Sequence, residues 1–178
     1  MALVDPFFIV LGGLGEDQTT EIVRTLRQRF PDSVWSPGEK GNSWDDYKLD
    51  LVSATLLRPS GQIFLIAHSF AGQTAIEAAN YFANQSKPFR YKHIFLLDPV
   101  RYDPMWVSSI DLHPSIPLRE VSWYRASFSF PVFPISTIST LAPLTISHTN
   151  HNSLCHSDYV IGKIIDIINE DLRDVASA

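Results

Sequence analysis

The segment Gln62-Ile63-Phe64-Leu65-Ile66-Ala67-His68-Ser69-Phe70-Ala71-Gly72-Gln73 decides how the rest of the chain is read. Ile63 to Ala67 is an apolar, partly β-branched run of strand length, the pattern of a buried strand. It stops abruptly at His68-Ser69-Phe70. Small residues then open a helical pattern through Ala71, Gly72, Ala75, Ala78 and Ala79. A buried strand turning sharply into a helix, with serine at the turn, has the layout of a nucleophile elbow. Such a turn is strained, so the residues two before and two after the serine must be small. Ala67 and Ala71 stand there, where glycines are usual. The same residues would serve an ordinary strand-to-helix connection with Ser69 as the helix N-cap. The flanking sequence has to decide between the two.

On the amino-terminal side, Phe7 to Leu11 reads as a second buried strand, followed directly by Gly12-Gly13-Leu14-Gly15. The spacing predicts a helix over 18–30, with Ile22, Val23, Leu26 and Phe30 on one face, Asp17 as N-cap and Pro31 as stop. A short strand is expected at 33–36. Ser43 with Asp46 resembles a capping box opening a second helix that carries Trp44, Tyr47, Leu51 and Ala54. Pro59-Ser60-Gly61 ends it. The elbow helix runs to about Gln85, and His93 to Asp98 is another buried strand, closed by Pro99. Strands alternating with helices at short intervals predict a parallel sheet covered on both faces.

Beyond Pro99 the pattern loosens. A Pro-containing excursion over 102–117, with a helical turn around Met105-Trp106-Val107, precedes a strand over 120–127. Phe128 to Leu141 reads as a long, unusually apolar loop, and loops of that length are usually functional or mobile. A last short strand is expected at 144–147. A final helix over 157–172 carries Val160, Ile161, Ile164, Ile165, Ile168 and Leu172 on one stripe.

The 178 residues predict a single domain spanning 1–178. A net charge of -5 and the lack of any Lys/Arg block argue against a nucleic-acid partner. Cys155 is the only cysteine, so an intrachain disulfide framework is excluded. No basic-then-apolar leader opens the sequence, and no apolar run reaches the roughly 18 residues of a spanning helix. The expectation is a cytoplasmic, reducing compartment with no transmembrane segment. Oligomeric state is not legible in the sequence.

A nucleophilic Ser69 needs a base, an acid to orient the base, and amides for an oxyanion. The loop before the final helix offers His148, His151 and His156. His151 is favoured, midway between the expected last strand and the helix, with Leu154 to anchor the loop. His148 is nearer the strand end and His156 nearer the helix cap. For the acid, no Asp or Glu occurs from Val121 to Cys155. The carboxylates between Ser69 and His151 are Glu77, Asp98, Asp103, Asp111 and Glu120. Asp98 is favoured because it ends a strand at the carboxyl edge, where sites in open α/β sheets gather, with Asp103 behind it. The oxyanion donors are expected to be the amides of Phe70, at the head of a helix, and Leu14, in the glycine loop. Phe128, Phe130 and Phe133, with Trp106, are expected to wall an apolar substrate pocket, or else to pack on the core in place of a missing strand.

The chain resembles the α/β-hydrolase superfamily of lipases, esterases and thioesterases. The resemblance runs from the strand at Phe7 to the helix ending near Leu172. It rests on Gly13-Leu14-Gly15, Ala67-His68-Ser69-Phe70-Ala71-Gly72, Leu97-Asp98-Pro99 and His151-Asn152-Ser153. It implies a three-layer α/β/α sandwich with a mostly parallel sheet, in a minimal version without a large lid. It also implies a serine hydrolase that cleaves a small-molecule carboxylic ester or thioester through an acyl-enzyme on Ser69, with no cofactor and no metal. Alanines at the elbow, Gly12 where many members have histidine, and an acid drawn from the earlier strand depart from the commonest pattern. Three other readings stand beside it. The glycine loop could suggest a dinucleotide site, but Gln18 occupies the third glycine position of G-x-G-x-x-G. The loop histidines could bind zinc, but they lack a helical H-E-x-x-H. A non-catalytic hydrolase-fold binding protein is the remaining alternative; it would be expected to have lost part of the triad.

Overall fold

A computed structural model of the chain describes residues 5–13, 19–37, 44–58, 62–85, 91–100, 109–128, 135 and 137–176, the last three of these by backbone alone. In chain order the elements are β1 (Pro6–Leu11), α1 (Thr20–Arg29), β2 (Val34–Trp35), α2 (Trp44–Leu56), β3 (Gln62–His68), α3 (Ala71–Asn84) and β4 (Tyr91–Leu97). Then follow β5 (Ser109–Ile110), β6 (Val121–Phe128), β7 (Thr137–Ile138), β8 (Leu144–Asn150) and α4 (Asp158–Ala176).

Alternate side chains of a strand point to opposite faces, and in the central strands both sets are apolar. Phe7, Ile9 and Leu11 of β1 share one core with Ile63, Leu65 and Ala67 of β3 and Ile94 and Leu96 of β4. Phe8, Val10, Phe64, Ile66, Phe95 and Leu97 form the other. Helices α2 and α3 cover the first core through Tyr47, Leu51, Ala75, Ile76, Ala79 and Phe82. Helices α1 and α4 cover the second through Ile22, Leu26, Val160, Ile164 and Ile168. Each fully buried Leu, Ile or Phe contributes about 1.5–3 kcal/mol, so strands apolar on both faces are stable only between two helical layers. The result is the expected α/β/α sandwich.

The six-stranded sheet has the order β2-β1-β3-β4-β6-β8, and every pairing in it is parallel. The chain leaves β1 in one direction to form β2, then returns to place β3 on the other side of β1. The crevice between the carboxyl ends of β1 and β3 is therefore a topological switch point, the preferred location for sites in such sheets.

Several expectations are corrected. Helix α1 begins at Thr20 rather than Gln18, with Thr19 at the N-cap position and no side-chain cap bond. Asp17 and the Ser43 half of the capping box lie outside the described residues. Segment 128–141 is not simply a loop, because β7 within it pairs with β5 in a separate two-stranded parallel sheet. Ile135 is buried in the core under α2 and α3, and its amide donates to the Pro99 carbonyl at 2.9 Å. Strand β8 runs on to Asn150 rather than ending at Ser147. It lies at the sheet edge with only Ile146 buried, so it lacks the apolar alternation that marks a strand in sequence.

Candidate active site

Ser69 follows the last residue of β3 and adopts φ 59°, the left-handed region. For a residue with a side chain this costs about 1–2 kcal/mol, so neighbours must impose it. The Ser69 amide donates to the Leu97 carbonyl at 3.1 Å. Its carbonyl accepts from the amides of Gly72 at 2.9 Å and Val100 at 3.0 Å. The turn is thus clamped between its own helix and the end of β4. Close packing completes the clamp. A Cβ on Gly13 would stand 2.5 Å from Ser69 Cβ and 2.9 Å from its Oγ. A Cβ on Gly72 would stand 2.4 Å from Pro99 Cβ. Only glycine permits either approach. Ala67 and Ala71 are both buried, as the small-residue requirement of the elbow demands.

Asp98 lies one residue past β4, at φ 41° and 1% exposure. Its amide donates to the Tyr124 carbonyl at 2.7 Å, and its Oδ1 accepts from the Ala126 amide at 3.3 Å. The neighbouring strand β6 thereby fixes the carboxylate. Its Oδ2 lies 2.7 Å from His151 Nδ1. His151 comes directly after β8, 8% exposed, and its amide donates to the Phe128 carbonyl at 3.2 Å. Its Nε2 lies 2.8 Å from Ser69 Oγ. A carboxylate only accepts, so Nδ1 carries the imidazole proton and donates it to Asp98. Nε2 is then the acceptor that faces the Ser69 hydroxyl. Three side chains separated by 82 and 53 residues of chain thus form one hydrogen-bonded line at the switch point. Chemically, such a line can remove the serine proton as the oxygen attacks and hold the imidazolium that results.

The structure brings Ser69, His151 and Asp98 together and leaves His148 and His156 apart from them. His148 falls inside β8 at φ 59° and is exposed; His156 is exposed in the 3-10 turn Ser153–His156. Among the described residues no three His, Cys, Asp or Glu groups are placed to share a metal ion. Phe70 stands at the N-cap position of α3, so its amide lies at the positive end of the helix. Leu14, Asp103, Trp106, Phe130 and Phe133 lie outside the described residues. Phe128 ends β6 and is 62% exposed. Cys155 is fully buried, and burial pushes its thiol well above the ordinary range, which suits a packing residue.

One neighbour was not singled out in the sequence. His68, fully buried at the end of β3, places Nε2 2.9 Å from the His151 carbonyl and its ring 4.6 Å from the His151 ring. Burial, reinforced by the charge His151 can carry, lowers its pKa to about 4. A histidine closing an otherwise apolar strand was the available signal.

With this geometry established, comparison with solved structures places the fold. The chain is similar to a protein from Xanthomonas campestris pv. campestris placed in the α/β hydrolase superfamily, at 13% identity and TM-score 0.60, over 93% of this chain and 99% of that one. It is similar to E-2-(acetamidomethylene)succinate hydrolase at 12% identity and TM-score 0.59, over 92% of this chain and 91% of that one. A third similar structure, an α/β serine hydrolase without a lid from Xanthomonas campestris, gives 11% identity and TM-score 0.55, over 96% and 83%. No protein-family model and no curated protein matches the sequence. The chain has the α/β-hydrolase fold in a minimal form without a large lid. No helix among the described residues is long and apolar enough to cross a membrane.

Proposed function

We propose that the protein is a serine hydrolase that cleaves a carboxylic ester or thioester through an acyl-enzyme on Ser69. The observation that carries this is the line Ser69 Oγ–His151 Nε2 at 2.8 Å and His151 Nδ1–Asp98 Oδ2 at 2.7 Å, built on a serine held at positive φ. Ser69 Oγ attacks the acyl carbon while Nε2 takes its proton. The carbonyl π electrons move to oxygen, and the Phe70 amide at the head of α3 stabilises that charge, with the Leu14 amide as the proposed second donor. His151 then returns the proton to the departing alcohol or thiol. Water repeats the sequence to release the acid and free Ser69. Asp98 keeps Nδ1 protonated, so the lone pair faces the serine throughout. The likeness to an α/β serine hydrolase and to E-2-(acetamidomethylene)succinate hydrolase supports hydrolysis as the reaction class.

The acyl group is proposed to lie against the aromatic segment that starts at Phe128, with Trp106, Phe130 and Phe133. A wall of that kind favours longer chains by about 0.8 kcal/mol per buried methylene. Stopped-flow hydrolysis of p-nitrophenyl acetate, butyrate and octanoate tests both parts. The expected result is a burst of about one p-nitrophenolate per chain, followed by slower turnover, with kcat/KM rising with chain length. Absence of any burst or turnover, with folded protein, would favour a non-catalytic binding protein.

A further inference from the structure

We propose that His68 is a positioning residue of the Ser69 site, its Nε2–H latching the His151 carbonyl so that the strand bearing the nucleophile also fixes the loop bearing the base. The inference rests on the hydrolase reading above.

Strand parity puts the His68 side chain on the same face as Phe64 and Ile66. That face also holds Leu154 and Cys155 of the turn that follows His151. A carbonyl oxygen only accepts, so the 2.9 Å contact requires the proton on Nε2. The other ring nitrogen, Nδ1, is then a bare acceptor, and it is buried without a hydrogen-bond partner among the described residues. An unsatisfied buried acceptor is costly, and an apolar side chain like its neighbours would avoid it. The function of this ring therefore lies at Nε2.

The loop needs such a tie. The Asn150 amide donates to Ser153 Oγ and the Ser153 amide to Asn150 Oδ1, each at 2.8 Å. These bonds close the turn around His151 but tie it only to itself. Outside the turn, its backbone is held by the 3.2 Å bond from its amide to Phe128 and by the His68 latch on its carbonyl. The two bonds hold the two peptide units that meet at the His151 Cα, one from β6 and one from β3. The His68 ring, tilted 35° to the His151 ring, also backs the imidazole. Groups facing His68 are His151, Asp98 and His156. Burial and the charge on His151 keep His68 neutral down to about pH 4. It therefore holds the base in place without opposing an imidazolium there.

The test measures the rate of labelling by a fluorophosphonate from pH 4.5 to 8.5, with the thermal midpoint recorded for every variant. Wild type labelled at Ser69 and Ser69→Ala unlabelled establish the parent reading; an unlabelled, folded wild type sinks that reading and this one with it. Given labelling, His68→Phe should react at least about 30-fold more slowly, since misplacing a catalytic group by about 1 Å costs on that order. His68→Gln keeps an N–H for the carbonyl and should stay within about fivefold. The pH of half-maximal rate should move by about half a unit or more in His68→Phe and hold still in His68→Gln, because only the first displaces the imidazole from its partners. General loosening of the fold lowers the labelled fraction and leaves that pH where it was. If His68→Phe does not fold, His68→Met, also without a donor, replaces it. Wild-type labelling in the donor-less variant, equal slowing in folded His68→Gln, or slowing with no shift in the pH profile would each overturn the latch while leaving Ser69 as the nucleophile.

Discussion

Two Ser–His–Asp clusters stand at opposite ends of the sheet's strands, alike in residue type and different in geometry and backbone. At the carboxyl edge are Ser69, His151 and Asp98. At the amino edge, His93 of β4 places Nε2 2.8 Å from Ser122 Oγ of β6, and Nδ1 3.4 Å from Asp171 Oδ2 of α4. The order of groups is the same. The acid contact, however, is 3.4 Å rather than 2.7 Å, and Asp171 also faces Lys92 Nζ at 3.6 Å. Ser122 sits within β6 in register with Phe95, and its hydroxyl also meets Tyr124. The strand continues past it to Phe128, so no helix head follows. Burial, with the Lys92 charge behind it, lowers the pKa of His93 to about 4, which makes it a poor acceptor of a serine proton. The cleft above it, about 540 Å³, is bordered by Lys92, Arg119, Glu120 and Glu170. What separates the clusters is the backbone: a serine forced to positive φ, a glycine against its Cβ, and a helix beginning at once. Matching residue types in the same order do not by themselves make a nucleophile.

The largest expected effect breaks the symmetry between the two serines. Ser69→Ala should lower p-nitrophenyl ester turnover by about 10⁴–10⁶-fold, while Ser122→Ala changes it by less than about twofold. Comparable losses in both variants would place the amino-edge cluster in the chemistry. Next come the acids. Asp98→Asn should keep the fold, checked by circular dichroism, and cost about 10³–10⁴-fold in kcat, because the amide can stabilise the wrong imidazole tautomer. Asp171→Asn should leave kcat within about twofold. A smaller effect is expected at the glycine that only the first cluster has. Gly13→Ala would drive a methyl into Ser69, lowering kcat/KM about 100-fold and stability by about 1–3 kcal/mol in urea unfolding.

A last effect, on stability rather than on turnover, comes from a buried histidine beside each serine. His68 and His93 are both buried neutral, with pKa lowered from 6.5 to about 4. Between those values the unfolded chain binds more protons than the folded one. Stability is therefore full above about pH 6.5 and falls as pH drops towards 4, by up to ~3 kcal/mol for each histidine. Urea unfolding at pH 7 and pH 4.5 should show the fall, and His93→Gln should reduce it without changing ester turnover at pH 7. An unfolding free energy independent of pH over that range would contradict the buried-neutral assignment.

The sequence made the elbow legible because a fully apolar strand, a serine and a run of small residues coincide at Ala67–Gly72. Asp98 stood out because the carboxylate-free stretch from Val121 to Cys155 left few alternatives. His151 is legible from its loop, although the sequence pattern puts it mid-loop and the fold puts it at the end of β8. That misplacement has a physical source: an edge strand with one buried residue carries almost no apolar signal. The pairing of β5 with β7 was invisible for a related reason, since two-residue strands have no period to read. His68 was passed over because sequence does not say what a strand-end histidine faces. Only the return of β8 to the sheet, many residues later, brings the His151 carbonyl to it.

The most direct test of the account is where a fluorophosphonate attaches, read by mass spectrometry of the digested wild-type protein. One adduct per chain is expected, on the peptide that contains Ser69, and none on the peptide that contains Ser122. A folded protein with no adduct at Ser69, or with its adduct at Ser122, would contradict it.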